Sequence, residues 1–227
     1  MSTDLAPAAP TTRPDLPPLL PAARLAFALL VLSQLALVVF AWWEPPFDGS
    51  TSYDDVAGPG AAYWPMHVLL GGPAFALTAV TTTVFLLVLG TGRGRALTLI
   101  GATAQLLGGL VFALVVTAEV LPLAFAVQAP EATGRAQVEA LAEPLAGYGP
   151  YVLVPMLVVA LGALLAITGA ALSGGLPWWV IGVAVVVAAL VFALPPDGAL
   201  VPAVDLAQRA LWVYVGWRGL RVASGRA

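Results

Sequence analysis

Asp205 and Arg209 stand four residues apart inside an apolar stretch, Ala199 to Trp217, that is as long as a membrane span. A spacing of four places both side chains on one face of a helix, where they pair. Ionised groups are costly in hydrocarbon, so an acid and a base there are a functional-site hypothesis by default. Arginine cannot escape by losing its proton. Gln208 lies between the two. Counting from the nearest charged boundary at about 1.5 Å per residue gives depths for the membrane-embedded polar groups. Gln34 counted from Glu44, Gln105 from Arg95 and Arg209 from Arg218 all come out roughly 14–15 Å deep, near the midplane. Asp205 lies one turn farther out. His67 and Glu119 lie farther out still, so the six residues describe a polar path from one surface to the membrane centre.

Two chemistries follow from these types. Asp205, Arg209, Gln34 and Gln105 can hold a small polar or anionic ligand, or can lock helices together. His67 and Glu119 can form a protonatable couple, because a neighbouring carboxylate moves a histidine across physiological pH. Against that, each can sit separately at the headgroup level, in contact with water.

Other chemistries are excluded. The chain has no cysteine, no lysine and a single histidine. That removes disulfides, thiolate metal sites, lysine Schiff bases and multi-histidine metal or haem sites. No phosphate-binding glycine loop, nucleophile elbow or HExxH motif is present, and the aspartates of loop 44–63 lack calcium-loop spacing. No cofactor, metal, catalytic residue or nucleic-acid partner is expected.

The elements that must position the polar residues are membrane helices. Of 227 residues, 60% are hydrophobic and 9% charged, and mean hydropathy is +0.96. A soluble domain carries about a quarter charged residues. The apolar residues fall in long runs that predict six spans near 23–43, 64–90, 96–120, 151–172, 178–194 and 199–217. The fold class expected is an all-α integral membrane protein, a six-transmembrane-helix bundle over 22–218. Residues 1–21 hold six prolines and read as a disordered tail; 219–227 form a basic tail.

With both termini cytoplasmic, Arg13, Arg24, Arg93, Arg95, Arg218, Arg221 and Arg226 all fall inside, seven of nine basic residues. Pro122 predicts a bend or an exit of the third span. The segment TGRAQVEALAEPL puts Val138, Leu141 and Leu145 on one side and Glu139 and Glu143 on another, as in a helix lying on the surface. Pro195 to Gly198 predicts a tight turn. Thr78, Thr81, Thr82 and Thr83 can line a path, or can bond their own helix backbone. Gly162, Ala166 and Ala170, with Gly101 and Gly109 beside Gln105, form small-residue faces that allow helices to approach closely.

The residue bias resembles that of small multi-pass membrane proteins of bacteria. That resemblance implies a cytoplasmic-membrane location and assigns no residue a role. Three functions stand open. In the first, the polar layer binds or transports a small polar or anionic ligand arriving from outside. In the second, the chain is a non-catalytic accessory or scaffold subunit that packs on a second copy or another membrane protein. In the third, it is an enzyme using His67 and Glu119.

Overall fold

The computed structural model describes residues 19–44, 51–147, 149–195 and 198–226, with backbone alone for 142–147. Most of the expected tail (1–18), Asp48, the side chains of Glu143 and Leu145, and Pro196-Asp197 of the expected turn lie outside the described residues. Every regular element among the described residues is helical. In chain order they are α1 (Leu19–Trp43), α2 (Tyr53–Ala57), α3 (Tyr63–Pro65), α4 (Gly72–Leu89), α5 (Arg95–Ala118), α6 (Val120–Ala126), α7 (Glu131–Gly147), α8 (Gly149–Leu172), α9 (Trp179–Ala193) and α10 (Val201–Ala223).

Four helical stretches are long and apolar enough to cross a membrane: Leu20–Trp43, Gly60–Leu89, Gly92–Ala126 and Gly149–Leu172. α9 is apolar but has 15 residues, and α10 carries Asp205, Arg209, Arg218 and Arg221. The chain is therefore an all-helical membrane protein. Its exterior agrees, because Leu25, Leu32, Leu35 and Val39 of α1 are all exposed, while Ser33, Gln34, His67, Thr82 and Gln105 are buried. That is the reverse of a water-soluble domain. Exposed Trp42 and Trp64 mark one end of the bundle, and exposed Trp178, Trp179 and Trp217 mark the other. Aromatic belts of this kind sit at membrane–water interfaces.

Prolines shape two of the long stretches. Pro73 has no N–H to give to the carbonyl four residues earlier. The turn before it widens into a π-helix, Met66–Gly71, in which the Gly72 N–H bonds the His67 carbonyl. Pro122 acts likewise, and the break falls at Glu119, between α5 and α6. α1 begins at Leu19 with Pro21 in its first turn, where a missing N–H costs nothing. α10 runs on to Ala223, so Arg218 and Arg221 lie on the helix.

α5 and α8 cross most closely. A Cβ on Gly162 would sit 2.5 Å from the Gln105 nitrogen and 2.7 Å from the Gly101 carbonyl oxygen. Ala166 and Ala170 continue the seam, fully buried. The small-residue faces are thus what bring Gln105 to its place. The main core combines Leu30 of α1, Phe85, Leu86 and Leu89 of α4, Ile167 of α8, Val180 of α9 and Trp212 of α10.

A second, smaller core closes the other end. Val56 of α2, Tyr63, Val120 and Leu123 of α6 and Val138 of α7 pack together. α7 is thus a cap helix with its apolar side turned inward, and Leu141 packs against the same cluster. Arg135 stitches the cap from outside. It donates to Asp54 at 2.9 and 3.3 Å and to Glu131 at 3.1 Å, and lies 4.8 Å from the Tyr53 ring centre. These bonds, Asp54 first, push the guanidinium pKa above its usual value.

Candidate functional site

The site is built where α1, α4, α5 and α10 meet. Ser33 Oγ donates to the Leu30 carbonyl at 2.8 Å, and Thr78 Oγ1 donates to Ser33 Oγ at 3.0 Å. A hydroxyl has one proton to give. Thr78 can then only accept, and it accepts from Gln34 Nε2 at 2.7 Å. The same logic repeats one turn on. Thr82 Oγ1 donates to the Thr78 carbonyl and accepts from Gln105 Nε2, each at 2.6 Å. The hydroxyl chain thereby fixes both amides with nitrogen toward the threonines. Gln34 Oε1 and Gln105 Oε1 are left buried without a hydrogen-bond partner among the described residues. An orphaned buried acceptor costs about 1–3 kcal/mol.

Arg209 and Asp205 form the expected pair on α10. Nε donates to Oδ2 at 3.2 Å and Nη2 donates to Oδ1. The side chains are 14% and 21% exposed, so the pair is largely withdrawn into the bundle. Neither glutamine bonds the arginine. Its Nη1 has no hydrogen-bond partner among the described residues, and Gln208 makes no side-chain bond there either.

Arg209, Gln208, Gln105 and Thr78 line one cavity of about 300 Å³. The remaining wall is apolar, and includes Phe75, Phe112, Met156, Val187, Phe192 and Trp212. α1, α4, α5, α8, α9 and α10 all contribute to it. Arg209 also borders an open groove against α1 in which Gln34 lies. Of the six expected site residues, Gln105 and Arg209 line the cavity, while Asp205 is tied to it through Arg209 and Gln34 through Thr78. Gln208, Thr78 and Thr82 join them. Gln208 was visible beside Arg209, but the threonine contacts depend on how three helices are rotated, which spacing within one helix does not contain.

His67 and Glu119 are elsewhere, under the cap. His67 is 2% exposed, not in contact with water at a headgroup level. Its hydrogen-bond partner is Glu44 at the end of α1, 2.8 Å from Nε2, and Nδ1 lies 2.9 Å from the Tyr63 carbonyl. Glu119 makes no hydrogen bond among the described residues, although it is near enough to act electrostatically on His67 and Glu44. Of the two readings open for His67, neither the couple with Glu119 nor the separate wet residue is what the structure has: its partner is Glu44. His67 lies in the π turn, which packs against α1. Glu44 lies 23 residues away in sequence, and nothing in the chain marks it as a partner.

Among the described residues, no cluster of three histidine or acidic side chains is placed to hold a metal ion. No family model, curated protein or solved structure matches this chain.

Proposed function

We propose that the chain is a six-span protein of the cytoplasmic membrane, with both termini inside, that binds or transports a small molecule in the cavity beside Arg209. The molecule has a polar or anionic head and an apolar body, and it enters from the outer side. One observation carries the reading: among the described residues, Arg209 and Gln208 keep unused donors and Gln105 an unused buried acceptor, and all three residues line one largely apolar cavity. Asp205 already neutralises Arg209. A head that both donates and accepts hydrogen bonds therefore suits the site better than a full anion. Asp205, Arg209, Gln34 and Gln105 are the binding residues proposed, with His67 and Glu119 on the outer approach. Six crossings are supported by the way α9 and α10 wall the cavity, and by Trp178, Trp179 and Trp217 at one level. The inside assignment rests on the arginine count.

A second reading has its own support. The Ser33–Thr78–Gln34 and Thr82–Gln105 bonds join α1, α4 and α5 side chain to side chain. Such a layer specifies helix packing, as an accessory subunit bound to a second copy or a membrane partner would need. The enzyme reading with His67 and Glu119 finds no such support, because both His67 ring nitrogens are already engaged.

Native mass spectrometry of the protein released from its own lipids tests the first reading. A small-molecule adduct present in the wild type and lost in Gln105→Leu is expected. A bare mass for the wild type, with a stoichiometric protein partner, favours the accessory role.

A further inference from the structure

The cap end holds a second polar device that the cavity does not use. We infer that Glu44 and His67 together form a proton-binding site, in which one titratable proton held between Nε2 and the Glu44 carboxylate fastens α1 to the π turn. Nδ1 lies 2.9 Å from the Tyr63 carbonyl, which can only accept, so Nδ1 carries a hydrogen. A neutral ring has one N–H, which leaves Nε2 bare. Yet Nε2 is 2.8 Å from Glu44 Oε1. A bare nitrogen against an ionised carboxylate would set two lone pairs facing each other. The contact therefore needs one more proton, either on the ring as imidazolium or on the carboxyl group as an acid.

The surroundings favour keeping that proton. Phe40, Trp43 and Tyr63 place ring centres 5.0, 5.6 and 4.6 Å from the imidazole. A cation over the face of such a ring, within about 6 Å of its centre, is stabilised by the ring quadrupole. Among the described residues, the charged or titratable groups that act on this pocket are Glu44 from the end of α1, Glu119 from the α5–α6 break, and Asp55 from α2, which acts on Tyr63. All three are acids. The Tyr63 hydroxyl is the remaining titratable group among them. No basic side chain of the described residues other than His67 acts there. Losing the proton would leave Glu44 Oε1 against a bare nitrogen and undo the tie between α1 and the π turn. Glu44, 39% exposed, gives the site a route to water.

His67 is the sole histidine, so ¹⁵N-histidine labelling gives one pair of ring signals without assignment. The wild type in lipid nanodiscs is measured at about pH 8, where a free imidazole, titrating near 6.5, is neutral. The expected result is either two protonated ring nitrogens, or one together with an infrared band of a protonated carboxylic acid that disappears in Glu44→Gln. A neutral ring with no carboxylic-acid band dependent on Glu44 overturns the proposal. If Glu44→Gln does not fold, Glu44→Asp replaces it, and the carboxylic-acid band is expected to shift in frequency; a neutral ring with no band that responds to this change overturns the proposal. Cavity ligands play no part in this readout, so its failure leaves the reading of the Arg209 cavity intact.

Discussion

Gln105 and Arg209 wall the same cavity from α5 and α10, and no hydrogen bond joins them. Each instead bonds within its own neighbourhood, Gln105 to Thr82 and Arg209 to Asp205. If the polar layer served packing alone, the glutamine carbonyls would be expected to take up the arginine's spare donors. They do not, and the unpaired acceptor and donors belong to residues that line one space. This separation is what supports the proposed binding site over a lock.

Removing the ion pair as a unit separates the two roles. Arg209→Ala alone strands Asp205 in the bundle, and breaking a fully buried pair from one side costs about 3–5 kcal/mol. The double variant Asp205→Asn with Arg209→Gln keeps polar side chains at both positions and removes both charges. It is expected to insert and melt within a few degrees of the wild type, yet to lose the bound molecule. Thermal unfolding in detergent and native mass spectrometry read the two effects separately.

The α5–α8 seam predicts a size-dependent loss. In Gly162→Ala the new methyl group meets the Gln105 nitrogen at 2.5 Å, and both neighbours are backbone that cannot swing away. Overpacking of this kind costs about 1–3 kcal/mol. Gly182→Ala on α9, with nothing within 4 Å of its Cβ, is the control. It is expected to be neutral or to stabilise by about 0.5–1 kcal/mol through helix propensity. Thermal denaturation of the two variants side by side checks the contrast.

The cap should loosen without disturbing the bundle. Val138 is 1% exposed in the small core with Tyr63 and Leu123. Val138→Ala is expected to remove about 1–2 kcal/mol from that core. Hydrogen exchange should accelerate in α2 and α7 and stay slow across the α5–α8 seam. Uniform acceleration in all helices would mean that cap and bundle unfold as one unit.

The absence of cysteine makes the orientation directly testable. Single cysteines at Ser52, beside the cap, and Ser224, after α10, need no background removed. A membrane-impermeant maleimide is expected to label Ser52→Cys in intact cells, and Ser224→Cys only after permeabilisation. Labelling of both from outside contradicts six crossings with both termini cytoplasmic.

The membrane class was plain in the length of the apolar runs, and the Asp205–Arg209 pair was plain in its spacing of four. Both signals sit within one helix. The meeting of Gln34, Gln105 and Arg209 was foreshadowed by equal counts from three charged boundaries, since depth is a property of each helix alone. What the counts could not carry was rotation about the helix axes, and so Thr78 and Thr82 entered unannounced. The Glu44 partner of His67 was not legible for a related reason: the two are 23 residues apart, one at the end of α1 and one in a π turn that an apolar pattern does not reveal. The glycines at 101 and 162 were visible as small faces. In a chain with 23 glycines, only a contact between two backbones singles them out.

A structure of the protein in lipid nanodiscs, compared with Ala188→Trp, tests the central claim most directly. Ala188 lines the cavity, and an indole there would fill it. The account predicts non-protein density in the wild type reaching both Arg209 and the Gln105 carbonyl, and no such density in the variant. Helices closed over the cavity, with the Gln105 carbonyl bonded directly to Arg209, would contradict it.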